Sequence, residues 1–330
     1  MRVVVVGCGL IGRKRVAALP KGAVLVGAVD PLMGRARALA DSVPGAQAFE
    51  DYREAFTKLR ADVAFVATTN EHLVPIALAG VRAGCHLLIE KPAARNADEL
   101  NELVVAAKDQ GRVVAVGFNH RYHRAFRKAR ELFESKELGP LMFIRARYGH
   151  GGRLGYDREW RADPVKAGGG ELLDQGVHLI DLARWFLGDF PTVRGTVATT
   201  YWDMPVEDNG FLHLETADRK IAWLHASCTE WKNLFSFEIY GRNAKLHIEG
   251  LGGSYGIERL SFYKMLPAMG PPETTIWEYP GDDDSWQAEV ADFMSSIRQV
   301  PGKGHLATLD DALAALRVVD TIYQAKSSHS

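Results

Sequence analysis

Residues Arg2 to Val6 read R-V-V-V-V and run directly into Gly7-Cys8-Gly9-Leu10-Ile11-Gly12, after which Arg13 to Leu19 favours a helix. A β-branched run, a G-x-G-x-x-G loop and a helix in that order predict a unit built to hold a pyrophosphate. Gly7 permits the tight turn, Gly9 lets backbone N–H groups approach the phosphates, and Gly12 lets the helix pack close to the strand. The positive end of the helix then faces the anion. The next apolar run, Val24 to Val29, ends at Asp30, eighteen positions beyond Gly12. A carboxylate there can accept both ribose hydroxyls of an adenosine and repels a 2′-phosphate, which favours NAD over NADP. Arg35 and Arg37 follow and could hold that phosphate, so NADP stays open. A glycine turn followed by an ordinary surface Asp is the plain alternative, and the full order of strand, turn, helix and acid argues against it.

At 330 residues the chain exceeds one ordinary core and predicts two domains. Its 40 Lys plus Arg against 41 Asp plus Glu leave no global field to attract nucleic acid or an anionic membrane. Cys8, Cys85 and Cys228 are odd in number, far apart and without a C-x-x-C pair, so they read as reduced cytosolic thiols. The N-terminus starts directly on a strand without signal-peptide order, and no apolar run reaches the roughly 18 residues of a membrane span. The expectation is a soluble, cytoplasmic protein.

Up to about residue 120 short apolar strands alternate with helical stretches, the pattern of a parallel sheet with crossover helices. Asp62 to Ala67 leads into Thr68-Thr69-Asn70-Glu71-His72, His86 to Ile89 into Glu90-Lys91-Pro92, and Val113 to Val116 into Gly117-Phe118-Asn119-His120-Arg121. Three strands thus deliver polar groups to one rim, where ligands of open α/β sheets sit. A basic amphipathic helix from about Tyr122 to Lys136 follows the predicted junction, giving domains at 1–120 and 121–330. Beyond it, alternating segments at 142–148, 192–201, 210–216, 220–228, 235–240 and 245–249 predict a large, mostly antiparallel sheet with one solvated or partner-covered face. Weaker strands fall within 258–264 and 274–278, and helices at 284–299 and 308–326 close the chain. The predicted class is α/β, a Rossmann domain followed by an α/β domain with an open sheet. Asp282-Asp283-Asp284 reads as a solvated turn and helix cap, and no metal site is expected.

Within the second domain, Gly168-Gly169-Gly170 opens a helical stretch that Gly188 stops. As an α-helix its polar positions Asp174, His178 and Asp181 share one face, at spacings of four and three. An Asp and a His on an otherwise apolar, buried helix need partners, because removing them from water unpaired is costly. A satisfied structural Asp-His pair is one reading. The other is a stripe facing nicotinamide and a hydroxylated substrate, with Gly176 allowing close approach. His178 is then the proton acceptor, Asp174 orients it or a substrate hydroxyl, and Lys91 stabilises the developing alkoxide.

The glycine loop with Asp30, Glu90-Lys91-Pro92, Asn119-x-Arg121, and Gly168-Gly169-Gly170 leading to Asp174-x-x-x-His178 together resemble the Gfo/Idh/MocA oxidoreductases, the family of glucose-fructose oxidoreductase and inositol dehydrogenase. The resemblance spans the whole chain. It implies NAD(P)-dependent oxidation or reduction of a sugar or cyclitol hydroxyl, and homodimers or homotetramers formed through the C-terminal sheet. Carried over, it makes Lys91 the catalytic lysine, Asp174 its substrate-positioning partner and His178 the acid/base. It places Gly7, Gly9, Leu10, Ile11, Gly12, Asp30, Thr68, Asn70, His72, Glu90, Lys91 and Asn119 along the cofactor, and Arg121 near nicotinamide or substrate.

The stretch from Tyr148 to Arg161 borders the substrate in this family, which makes His150, Tyr156, Trp160 and Arg161 substrate candidates. Its arginines, with Trp and Tyr, suit a sugar carrying phosphate, carboxylate or a nucleotide. A charged loop or a subunit contact reads the same way. Two further functions stay beside the dehydrogenase: a redox-neutral glycosidase or lyase that recycles NAD, and a regulator of the same fold without chemistry. The intact Lys91, Asp174 and His178 set argues against the regulator.

Overall fold

The computed structural model describes residues 1–268, 270–299 and 304–327, which form two compact units. The first comprises Met1–Asn119 with Trp286–Leu313, and the second His120–Ser285 with the described residues from Ala314 onward.

In the first unit six strands, β1 (Arg2–Val6), β2 (Val24–Val29), β3 (Gln47–Phe49), β4 (Val63–Val66), β5 (His86–Glu90) and β6 (Val114–Gly117), lie in the order β3-β2-β1-β4-β5-β6. Every pairing is parallel. Five helices make the crossovers: α1 (Leu10–Ala17), α2 (Met33–Ala40), α3 (Tyr52–Leu59), α4 (Asn70–Arg82) and α5 (Ala97–Asp109). The valines of β1 and β4 are buried along their whole length, as expected of a parallel sheet covered on both faces. Chain order reverses between β1 and β4, so the loops leaving those strands diverge and open a crevice at the carboxyl ends.

The sequence reading assigned all of 121–330 to one domain, yet Trp286–Leu313 belongs to the first unit. After α6 (Arg124–Glu134), α7 (Pro164–Ala167) and α8 (Val177–Leu187), the helix α9 (Ser285–Ile297) lays Val290, Phe293 and Met294 into the core beneath the parallel sheet. The Phe293 and Phe65 rings lie 6.4 Å apart. An extended segment then runs beside β6, where Val116 donates to the Ala307 carbonyl at 3.0 Å. An apolar helix stripe states that a core exists, not which one it fills.

The second unit holds eight strands: β7 (Leu141–Gly149), β8 (Thr192–Ala198), β9 (Asn209–Glu215), β10 (Ile221–Ser227), β11 (Leu234–Gly241), β12 (Ala244–Glu249), β13 (Glu258–Lys264) and β14 (Glu273–Tyr279). Their order is β14-β13-β12-β11-β7-β10-β9-β8, antiparallel throughout except for the central β7–β10 pair. Side chains alternate along β9, β10 and β12. Ile144, Ala146, Leu224, Phe237 and Leu246 are buried on the face that α6 and α8 cover, while Phe143, Phe211, Ile221 and Trp223 are exposed on the other. On that open face Glu238 accepts from Arg145 and Lys245, both at 2.5 Å. The last helix, α10 (Leu309–Ser327), spans the two units in sequence. Asp283 accepts from the Ser285 N–H at 2.9 Å, and Asp284 pairs with Arg127 at 2.9 Å, so two of the three consecutive aspartates cap and brace the start of α9.

Candidate active site

In the first unit every predicted cofactor residue lies at or just beyond the carboxyl end of a strand, or on the helix that follows. Gly7 sits at φ +96°, and a Cβ there would stand 2.1 Å from the Ala67 carbonyl oxygen that closes the adjacent turn. A Cβ on Gly12 would stand 1.8 Å from the Gly7 carbonyl oxygen. Both glycines are thus required by packing within the chain. Gly9 is different, because a Cβ there would meet no atom within 4 Å. It is the N-cap of α1, makes no side-chain cap, and leaves the first-turn N–H groups beside an exposed Leu10 and a half-buried Ile11. Asp30 is buried and accepts from Cys8 N at 3.0 Å and Leu32 N at 2.9 Å, one bond to each oxygen. Each oxygen keeps capacity for a further hydroxyl.

Thr68 and Asn70 follow β4, half-buried and buried respectively, whereas His72 is exposed and lies 3.5 Å from Glu71. Glu90 ends β5, and Lys91, joined to Pro92 by a cis peptide, is half-buried. Asn119, after β6, is buried. Glu90 is held from behind by Arg15, a buried side chain on α1 whose Nε lies 2.6 Å from the Glu90 carboxylate. Arg15 also pairs with the buried Glu289 of α9 and lies 4.5 Å from the Trp286 ring. Burial works against its charge, yet Glu289 and Glu90 more than offset this and hold the guanidinium above its ordinary pKa. The sequence reading missed this cluster, because Arg15 sits in an R-K-R stretch that looks like a solvated helix face.

In the second unit the predicted α-helical spacing is corrected. Leu172–Gly176 forms a π-helical turn, and only from Val177 does the chain continue as α8. Asp174 lies within that wide turn and His178 just beyond it. Such turns insert an extra residue into a helix and occur often at functional sites. Asp174 is half-buried and accepts from Arg161 Nε at 2.9 Å. The Arg161 guanidinium is held above its ordinary pKa chiefly by that carboxylate and lies over the Trp160 ring at 4.6 Å. His178 is buried and stacks on His120 with ring centres 3.8 Å apart and planes at 22°. Asp181 does not join them. It is fully buried and accepts two bonds from Arg121, at 2.8 and 2.5 Å, so the structure puts Arg121 in a buried ion pair. Gly176 faces Leu172 and Ala226 of β10, at 2.8 and 3.4 Å from an added Cβ, so its smallness serves helix-on-sheet packing.

His150 and Tyr156 converge on Glu171, which the sequence reading passed over. The His150 Nε2 lies 3.6 Å and the Tyr156 hydroxyl 3.5 Å from the Glu171 carboxylate. The Gly152 N–H donates to His150 Nδ1 at 2.9 Å, which puts the proton of the neutral ring on Nε2. Burial lowers the His150 pKa. Glu207 anchors the start of the site helix, accepting from Gly170 N and Leu172 N at 3.1 Å and from the Tyr323 hydroxyl at 2.6 Å. A Cβ on Gly169 or Gly170 would collide with Tyr323 or with Glu207, which accounts for two members of the glycine triplet. The loop arginines are already matched by acids: Arg153 with Glu159 at 2.6 Å, Arg158 with Asp157 at 3.7 Å, and Arg161 with Asp174.

Comparison with known proteins follows the same division. Residues 1–118 match the model for the oxidoreductase family, NAD-binding Rossmann fold, and residues 126–247 match the GFO/IDH/MocA C-terminal domain. The chain belongs to the GFO/IDH/MocA oxidoreductase family. It is 29% identical over 249 residues to D-glucoside 3-dehydrogenase of Escherichia coli K12, covering 69% of this chain and 70% of that one. It is 31% identical over 170 residues to levoglucosan dehydrogenase of Pseudarthrobacter phenanthrenivorans, covering 48% of this chain and 42% of that protein. The fold resembles that of levoglucosan dehydrogenase in complex with NADH, with a TM-score of 0.87 at 21% identity over 100% of this chain and 98% of the other. The NAD of this family fits the first unit. Gly9 leaves open space over the N-terminus of α1, where a pyrophosphate would meet bare N–H groups, and Asp30 stands at the adjacent strand end to receive ribose hydroxyls.

Proposed function

We propose that this oxidoreductase oxidises a secondary hydroxyl of an uncharged sugar, cyclitol or simple sugar derivative with NAD, and reduces the corresponding ketone in reverse. The arrangement that carries the reading is the Asp174 carboxylate on its π turn, aligned by Arg161 at 2.9 Å and followed by His178. A nucleotide or phosphorylated sugar is disfavoured, because the arginines that would bind its phosphates already face Glu159, Asp157 and Asp174.

An alcohol gives up hydride readily only as its hydroxyl proton leaves, so the reaction needs a base and a cation at that oxygen. NAD, when bound, supplies the hydride acceptor. His178 Nε2 or Nδ1 accepts the hydroxyl proton, with the imidazole plane fixed by stacking on His120. The Lys91 ammonium stabilises the developing alkoxide. Asp174 accepts from a neighbouring substrate hydroxyl and fixes which carbon reacts, while Arg161 keeps that carboxylate aimed. A dehydrogenase yields NADH with a panel of free sugars, glycosides and inositols, and Lys91→Ala or His178→Ala abolishes the signal while NAD still binds. Near wild-type turnover in either variant refutes that residue's role, and tight NAD retention without net NADH supports the redox-neutral alternative instead.

A second copy of the chain covers the open face of the eight-stranded sheet, where Phe143, Phe211, Ile221 and Trp223 are exposed. Sedimentation of wild type against Trp223→Glu tests this, with a shift to monomer expected in the variant. The three buried free cysteines suit a reducing cytoplasm, and among the described residues no helix is long and apolar enough to cross a membrane.

A further inference from the structure

The second unit carries a cavity that the proposed chemistry does not use. It has a volume of about 440 Å³ and is lined chiefly by Glu230, Lys232 and Asn233, on the segment entering β11, and by Tyr255, Ile257 and Arg259, around the β12–β13 connection. Two steps lead from it to the proposed base. The Tyr255 ring lies 5.4 Å from the Tyr148 ring, and Tyr148 lies 6.2 Å from His178.

The backbone around the cavity has several residues at positive φ. Tyr255 rides on a short 3-10 turn, Gly253–Tyr255, with Gly252 at φ +68°, Gly253 at +54° and Gly256 at +92°. Only glycine adopts that region freely, so these residues fold a connection back to present one aromatic ring. Between the lining residues Glu230 and Lys232, Trp231 has φ +54°, a rare and costly state for a bulky aromatic residue. Its side chain is 66% exposed, so no core contact compensates. Its backbone lies against Gly151, where an added Cβ would stand 3.0 Å from the Trp231 Cα, one residue from His150. The Trp231 ring meets Tyr201 edge-on at 4.5 Å. Strain held beside an exposed aromatic pair, next to a candidate substrate residue, points to a ligand contact.

The lining chemistry selects the ligand. Lys232 and Arg259 are balanced by Glu230 and Glu249, and Arg259 is already paired with Glu278 at 2.5 Å, so the cavity favours no anion. Among the described residues nothing hydrogen-bonds the Lys232 ammonium or the Asn233 amide, which leaves both able to meet hydroxyls. Aromatic faces, an amide and charges of mixed sign match a pyranose ring, which offers an apolar C–H face and a rim of hydroxyls. We infer that this cavity is a subsite for the second ring of a glycoside whose first ring is oxidised beside His178. The inference rests on the sugar-dehydrogenase reading above and narrows its substrate to a disaccharide or an aryl glycoside.

The test compares a monosaccharide, its methyl glycoside and the matching disaccharide on full-length enzyme with NAD, in wild type, Asn233→Ala and Trp231→Ala. Wild type should show a kcat/KM for the disaccharide about tenfold above that for the methyl glycoside, the worth of one or two hydrogen bonds and a ring contact. In Asn233→Ala and Trp231→Ala the disaccharide KM should rise about five- to tenfold while monosaccharide kinetics stay within about twofold. Equal efficiency with all three substrates in wild type overturns the subsite and leaves the dehydrogenase reading standing, as do variants that slow all substrates alike. Absence of NADH with every sugar overturns the dehydrogenase reading and the subsite with it.

Discussion

Replacing Arg15 with methionine should cost about 3–5 kcal/mol of stability in the first unit. The guanidinium is 1% exposed, bonds Glu90 at 2.6 Å, pairs with Glu289 and lies beneath Trp286. Methionine replaces the aliphatic stem but leaves two carboxylates, with side chains 12% and 1% exposed, facing each other without a cation. Removing one partner of a buried charge cluster is the expensive case, because each remaining carboxylate forfeits a charged hydrogen bond worth about 1.5–3 kcal/mol. For a domain of this size each kcal/mol lowers Tm by roughly 2–4 °C, so a fall near ~10 °C or more is expected by calorimetry. Arg15→Lys keeps the charge but cannot bridge both acids in a fork, and should fall between wild type and Arg15→Met. A double-mutant cycle isolates the pair: Glu289→Gln should destabilise wild type yet be neutral or stabilising in the methionine background. A Tm unchanged within about 2 °C, or a Glu289→Gln penalty equal in both backgrounds, would refute the view that Arg15 neutralises this cluster.

Other consequences follow from the same structure. Cys8 and Cys85 are buried, and burial first, then Asp30 or Asp62, pushes their thiols up to about 12 and about 11. A thiol reagent at mildly alkaline pH should therefore label neither until the chain unfolds, and fast modification of Cys8 in native protein would contradict that environment. Burial tends to raise the Glu238 pKa, but Arg145, Lys245 and Tyr240 reverse this and bring it from 4.5 to about 2. Its contribution is present above pH ~4.5 and fades as pH falls toward 2, so the stability gap between wild type and Glu238→Gln should narrow across that window; an unchanged gap refutes it. Arg161→Ala releases the Asp174 carboxylate, and kcat/KM should fall about 10- to 100-fold with NAD affinity unchanged, Arg161→Lys recovering part of the loss. Unaltered sugar kinetics in Arg161→Ala would remove Arg161 from the site.

What could be read from sequence was whatever local physics dictates. Gly12 is forced by the Gly7 carbonyl within the same turn, Gly7 by its positive φ, and Asp30 follows from strand length, so the cofactor unit declares itself in its first thirty positions. The alternation of β9, β10 and β12 likewise follows from one buried sheet face. Long-range pairings left no such mark. Arg121 meets Asp181 sixty residues away, and Arg15 meets Glu289 across 274. The isolated sequence of either partner looks like solvated charge, or like an active-site group. The π turn at Leu172–Gly176 escaped for another reason: the extra residue per turn changes no composition, so Asp174 and His178 kept an α-helical spacing on paper that the backbone does not follow. Glu171 and Glu207 look ordinary until Tyr156, His150 and Tyr323 are seen to close on them.

The most direct test of the account is single-turnover NADH formation from a neutral glycoside, run with wild type, Lys91→Met and His178→Asn, each checked for NAD binding by calorimetry. Rates reduced at least about 100-fold in both variants with unchanged NAD affinity are expected if Lys91 and His178 handle the hydroxyl proton and the developing charge. A variant that forms NADH at the wild-type rate, or that fails only because NAD no longer binds, would contradict the proposed chemistry.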